Sequence, residues 1–226
     1  MAYWFTADWH INHNNIIRYC KRPFGSSDQM TEFLIKAYNS RVAPNDNAFF
    51  IGDLAWTHDQ EMVERLLSRL NGRKVLIPGN HDFKPTVNAR GWDAVNPIFE
   101  ISVPDGDGRQ VIVLCHYAMR TWNKSHYGSW HLYGHSHGNL PDLDHVMATD
   151  VGVDRWGYRP VSYEEVKAIL LPRQMAMKEQ LADQGKLIRL SASMSNNEQE
   201  MKSEPGIEDF DEPDSDGVDW ADGKFC

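Results

Sequence analysis

Five short apolar runs in the first 137 residues each break off into a small polar cluster, and no other feature limits the fold so tightly. In order the clusters are Asp8-Trp9-His10, Gly52-Asp53, Gly79-Asn80-His81-Asp82, Cys115-His116 and Gly134-His135-Ser136-His137. The runs before the first three, residues 2–7, 48–51 and 74–77, have the length and apolar content of buried strands. Between them the spacing is helical: Met30, Phe33, Leu34, Ala37 and Tyr38 share one face, and Met62, Val63, Leu66, Leu67 and Leu70 share another. Alternating strands and helices pack in layers. Loops at the carboxyl ends of neighbouring strands converge on one sheet edge, so side chains far apart in sequence meet there.

After residue 97 the pattern is richer in strands, with runs at 98–103, 110–115, 130–133 and 146–151 and a turn at Asp105-Gly106-Asp107-Gly108. Ser162-Tyr163-Glu164-Glu165 is a capping box that opens a helix through Leu171, and a further amphipathic helix is expected from Arg173 to about Leu190. No internal repeat is visible.

The formal charge is −9. Residues 195–226 carry eleven acids and two bases, and taking these from the totals of 32 and 23 leaves 21 of each in the rest. A formally neutral body argues against a stable nucleic-acid complex, which usually needs a basic face, and leaves a local basic patch open. The expected organisation is one domain over 1–190 and an acidic, disordered tail over 191–226, chiefly a solubiliser. No stretch approaches the ~20 apolar residues of a membrane span. No signal-peptide core precedes Asp8, and Cys20, Cys115 and Cys226 form no disulfide framework; a cytoplasmic setting is expected.

The converging clusters bring together the carboxylates of Asp8 and Asp53, the amide of Asn80, and the imidazoles of His10, His116, His135 and His137, with His81 alongside. A mixed oxygen and nitrogen set suits Mn²⁺, Fe, Zn²⁺ or Ni²⁺ better than Ca²⁺ or Mg²⁺ alone. Seven ligands are too many for one ion and enough for two if a carboxylate bridges. The members of the pairs Asp8/His10 and His135/His137 lie two apart, which points them to the same side of an extended segment. Glycines at 52, 79 and 134 let backbone pass close to a crowded site.

The ordered motifs DxH, GDxx, GNHD, a lone His and GHxH resemble those of the calcineurin-like metallophosphoesterases, in particular small bacterial and phage-type members. Val151-Gly152-Val153-Asp154-Arg155-Trp156 is similar to that family's end of domain. The resemblance implies an α/β fold, a two-sheet β-sandwich flanked by helices in four α/β/β/α layers. It further implies one metal on Asp8, His10, Asp53 and His137, and another on Asp53, Asn80, His116 and His135. A hydroxide bridging the two ions would attack the phosphorus of a phosphate ester in line, with His81 as general acid. Asp82 is expected to orient His81 or nearby backbone.

The expected substrate is a small phosphodiester or a nucleotide. A phosphomonoesterase, a nuclease, or a non-catalytic metal-binding scaffold of the same fold are the alternatives. Asn15 and Arg22 follow the first motif and are candidates for gripping the substrate phosphate. Trp9, Trp56, Trp122 and Trp130 lie near the same edge, where an aromatic face can stack a nucleobase. His13, His58, His126, His131 and His145 are expected to be solvated or structural. Two divalent ions would leave a positive focus at the edge, to which the acidic tail could be drawn.

Overall fold

The computed structural model describes residues 1–200, with side chains through residue 183. The disordered tail expected over 191–226 is contradicted at its start, where a helix continues to Glu200, and what was expected beyond residue 200 lies outside the described residues. A first unit, Met1–Gln180, contains every feature below, and a second comprises Leu181–Cys226.

Two mixed sheets flanked by helices form the first unit. One sheet holds β1 (Tyr3–Thr6), β2 (Asn47–Phe50), β3 (Arg73–Leu76), β4 (Ala94–Val95) and β9 (Val161–Ser162), ordered β4-β3-β2-β1-β9. β1 to β4 are parallel, and β9 joins β1 antiparallel. The other sheet holds β5 (Ile98–Asp105), β6 (Gly108–Cys115), β7 (Trp130–Tyr133) and β8 (Ala148–Asp150). β5 and β6 form the hairpin foreseen at the Asp-Gly turn, and β6, β7 and β8 run parallel. Parallel runs leave six strand ends on one edge: β1, β2 and β3 in one sheet and β6, β7 and β8 in the other.

The helices are α1 (Asn14–Tyr19), α2 (Ser27–Asn39), α3 (Gln60–Ser68), α4 (Lys84–Asn88) and α5 (Tyr163–Glu200). The apolar faces of α2 and α3, through Met30, Leu34, Val63 and Leu67, pack with Ala48, Phe50 and Leu76 into one core. A second core lies where Phe5, Phe49 and Ile51 meet Ile112, Leu114, Trp130 and Leu132, and Val166 and Leu170 of α5 complete it. Full burial of such side chains contributes about 1.5–3 kcal/mol each. Trp9 and Trp130, foreseen near the active edge, are core residues, 1% and 0% exposed.

The capping box is present: Ser162 and Glu165 exchange side-chain and backbone bonds at 2.9 and 3.2 Å. Where two helices were expected, α5 runs unbroken with Pro172 inside it. The missing proline N–H removes one ladder bond, a loss that a long helix tolerates when flanking turns persist. Among the described residues no helix is long and apolar enough to cross a membrane.

The Pro-Asn-Asp breaker before β2 also carries a structural load. Asp46 accepts from the Ala2 N–H at 2.7 Å, Trp4 Nε1 at 3.0 Å and the Ala43 N–H at 3.1 Å. Burial raises its pKa, but these donors outweigh burial and hold it below the ordinary value. Asp46→Ala is expected to cost about 1–3 kcal/mol in denaturant titrations at neutral pH, because the donors lose their acceptor. A carboxylate with a depressed folded pKa stabilises above its unfolded pKa and ceases to do so as pH falls through the folded one. The gap between wild type and variant should therefore close below about pH 3.9.

Candidate metal centre

Five of the six strand ends at the shared edge each deliver one cluster. β1 leads to Asp8 and His10, β2 to Asp53, β3 to the turn at Asn80-His81-Asp82, β6 to His116, and β7 to His135 and His137. The backbone there differs from the extended form foreseen. Asp8, His10, Asp53, His135 and His137 have φ of 60°, 53°, 58°, 65° and 47°. Non-glycine residues in the left-handed region cost on the order of 1 kcal/mol or more each, and such strain gathers at functional sites. Bonds from Asp8 N–H to Gly52 O (3.0 Å) and from His10 N–H to Asp53 O (2.9 Å) help hold it. The reversal lets Trp9 enter the core while Asp8 and His10 face the site.

Crowding explains two of the glycines. A Cβ on Gly79 would lie 2.3 Å from Asp53 Oδ1 and 2.8 Å from His116 Nε2. Gly52, at φ +85°, would place one 2.2 Å from His116 Nδ1.

The polar atoms form two groups that could each hold an ion, Asp8, His10 and His137 in one and Asp53, His116 and His135 in the other. Asp53 links them, with Oδ2 3.5 Å from His10 Nε2 and 3.4 Å from His116 Nε2. Asp8 Oδ2, His10 Nε2 and His116 Nε2 are buried and lack a hydrogen-bond partner. Orphaned donors and acceptors at this depth are costly, and a cation satisfies all three at once. The residues therefore fit divalent metal. Asn80 is exposed on the β3 turn beside the second group.

A third group, Cys20, His137 and Asp154, is geometrically compact but chemically poorer. Burial pushes the Cys20 thiol up to about 11, which disfavours the thiolate a metal needs, and Asp154 is committed elsewhere.

The imidazoles are oriented from behind. His116 Nδ1 donates to Ile51 O at 2.9 Å, and His137 Nδ1 pairs with Asp154 Oδ2 at 2.7 Å, which leaves each Nε2 for the site. Asp154 in turn receives Arg22 Nε at 2.8 Å and Nη2 at 2.7 Å. Asp82 accepts from the backbone N–H groups of Asp53, Leu54 and Gly79 at 2.8, 2.9 and 2.9 Å, clamping the β2 turn to the β3 turn. Of the two roles expected for Asp82, the backbone one is observed. Asp150, which sequence reasoning passed over, accepts from the Gly138 and Gly152 N–H groups.

The charges fit a site built for cations. Burial raises Asp8 to about 7 and lowers His10 to about 3. For Asp53 burial acts upward, yet the nearby His116 imidazole, together with the His81 N–H, prevails and holds it at about 2. Burial likewise acts downward on His116, and Asp53 raises it to about 9. Without metal these two form an ion pair, and a cation that takes up His116 Nε2 releases its proton.

Arg22 departs from expectation. It is 4% exposed, and beyond its two bonds to Asp154 it donates to the carbonyls of Trp9 and Asp8 at 2.9 and 2.7 Å. A guanidinium so enclosed braces the site and has no reach to a substrate phosphate. Asn15 is exposed on α1. His81 lies at the rim, its ring centroid 5.3 Å from His10 and 4.9 Å from Trp56. His13 was expected to be solvated or structural. It stacks on Trp56 at 4.8 Å, and its Nδ1 is 3.5 Å from His10 Nδ1.

Asp154 was the main omission. Its signal was present as a carboxylate within the end-of-domain segment, and asking what holds His137 would have found it.

The sequence profile of the calcineurin-like phosphoesterases matches residues 1–156. The chain belongs to that family, whose chemistry is metal-dependent phosphoester hydrolysis and whose members typically bind divalent metals. An uncharacterized protein of Methanocaldococcus jannaschii is 30% identical over 170 residues, covering 73% of this chain and 88% of that one. The crystal structure of a protein of unknown function from Aquifex aeolicus superposes with a TM-score of 0.59 at 21% identity. It covers 74% of this chain and 98% of its own, and shares the fold.

Proposed function

We propose that this chain hydrolyses small phosphodiesters or nucleotides with the help of two divalent transition-metal ions. Asp8, His10, Asp53 and His137 would hold one, and Asp53, Asn80, His116 and His135 the other. The observation that carries this reading is the set of buried, partnerless atoms Asp8 Oδ2, His10 Nε2 and His116 Nε2 around Asp53 Oδ2. Bound ions supply charge neutralisation at the phosphoryl oxygens and activation of water. The mixed set of carboxylate, amide and imidazole donors admits Mn²⁺, Fe, Zn²⁺ or Ni²⁺, and Mn²⁺ is the ion we propose.

The protein's own part is positional. Asp154 and the Ile51 carbonyl fix two imidazoles in the ligating tautomer. Asp82 holds the loop that presents Asp53 and the turn that presents His81. His81, kept against Trp56 at the rim, is placed to give a proton to the leaving oxygen.

Purified protein should contain about two transition ions per chain and hydrolyse bis(p-nitrophenyl) phosphate with Mn²⁺ stimulation. Folded protein that binds the ions but does not turn over the ester would instead be the non-catalytic metal-binding scaffold, and protein that binds no ions would overturn both readings. His81→Ala should lose about 10²-fold or more in turnover with alcohol leaving groups and much less with p-nitrophenolate, which leaves without a proton. Equal losses on both would remove His81 from that role.

A further inference from the structure

A pocket of about 580 Å³ lies among Tyr133 of β7, Ala148 of β8 and the segments that follow β6 and β7. This is within the usual range for a small-molecule site. Its walls come from the segments that leave two of the ligand-bearing strand ends. Ala118, Met119 and Trp122 follow His116, while Leu140 and Leu143 follow His137. Tyr133, the last residue of β7, lines it two positions before His135. Ala118 is two residues from His116 and Leu140 three from His137, so the chain spans at most about 7 and 11 Å from ligand to wall.

The wall is fixed in advance. His131, fully buried, bonds Val113 O through Nδ1 at 2.9 Å and accepts from the Met119 N–H at 3.2 Å. On the opposite wall Asp142 receives Arg155 at 3.0 and 2.6 Å and Arg173 at 2.8 Å. Trp122 packs against His131, ring centroids 5.2 Å apart, and donates Nε1 to Ser129 O at 3.1 Å. What remains of its surface lines the pocket.

The chemistry of the lining selects the occupant. Apolar surface dominates, which suits an uncharged, flat group. The other ionisable side chains in the wall, Arg120, His126 and His145, have no carboxylate partner among the described residues, and the acid Asp142 is already neutralised. Donors are thus in surplus, and a ligand rich in acceptors is favoured. Of the four tryptophans placed near this edge by the sequence, Trp9 and Trp130 are core and Trp56 packs against His13 and His81. Trp56 remains 39% exposed but lies outside this pocket, and Trp122 is the tryptophan that lines it.

We infer that this pocket receives the nucleobase of a nucleotide phosphodiester whose phosphate sits at the metal centre. The inference rests on the phosphoesterase reading above and gives it a substrate class. The walls grow from His116 and His137, so phosphate binding and base binding are coupled by chain connectivity. Stacking on Trp122 supplies affinity, and Arg120, His126 and His145 face the acceptor atoms.

The test compares two diesters with the same leaving group, the p-nitrophenyl ester of thymidine monophosphate and methyl p-nitrophenyl phosphate, on the Mn²⁺-loaded full chain. Wild type should prefer the thymidine ester in kcat/KM by about tenfold or more, the range of one base stacked on an aromatic ring. Trp122→Ala should bring that ratio close to one. Leu143→Glu, at a residue 51% exposed and so harmless to folding, should also lower it, by placing a carboxylate against an acceptor-rich ligand. A wild-type ratio near one, or a ratio unchanged in both variants, overturns the inference. If neither ester is hydrolysed, the phosphoesterase reading fails separately, and calorimetry with thymidine monophosphate decides the pocket. Binding that weakens in both variants supports it, and absence of binding to wild type overturns it.

Discussion

Asp53→Asn should abolish metal loading and lower kcat/KM by more than about 100-fold, the upper end of what loss of a mere outer partner of a metal ligand costs. Asp53 Oδ2 lies between the two groups, 3.5 Å from His10 Nε2 and 3.4 Å from His116 Nε2. An amide keeps the size and can still accept from the His81 N–H, which now bonds Oδ1 at 2.9 Å. It loses the negative charge that offsets two cations. The decisive reading is stability with and without metal. Wild type at about 100 times the dissociation constant should gain about 2.7 kcal/mol per site from Mn²⁺, and the variant should gain none. A variant that retained two ions per chain would show that Asp53 is no bridge.

The largest stability loss is expected at Asp154, which stands behind His137. The Arg22 side chain is fully buried and Asp154 nearly so, and they share a bidentate pair. Asp154→Asn strands the guanidinium, and breaking a buried pair from one side costs about 3–5 kcal/mol. The cost is an unpaired charge rather than a lost attraction, so adding Arg22→Met to Asp154→Asn should recover part of it. His137 also loses the acceptor for its Nδ1 proton, which should weaken metal binding about 10- to 100-fold. Urea titration of the three proteins, with metal titrations on those that fold, separates the two effects. A single variant as stable as wild type would mean that the guanidinium finds water or another acceptor.

Much of the site was legible because its chemistry is local. An apolar run followed at once by Asp, His or Asn is a strand that ends at polar work, and Gly79 and Gly52 marked where backbone must pass against His116. The capping box at Ser162 was equally local. The misreadings share a different character. Arg22 and Asp154 are 132 positions apart, and each alone has the character of a surface residue. Their meeting depends on α1 and the segment after β8 closing behind Asp8. The two-residue strands β4 and β9 carry too little pattern to be seen and exist only as partners of β3 and β1. Trp9 offered the same one-letter signal as Trp122, and backbone handedness at Asp8 and His10 turned it into the core.

By itself the sequence determined the main alternation of strands and helices, the edge where chemistry gathers and the candidate metal-binding residues, because strand period, turn chemistry and ligand type are written in consecutive residues. Only the tertiary structure decided that Arg22 braces rather than binds, that Asp154 holds His137, and that the segments after His116 and His137 line a pocket. Those are relations between segments tens to more than a hundred residues apart, set by how two sheets pack and not by any window of the chain.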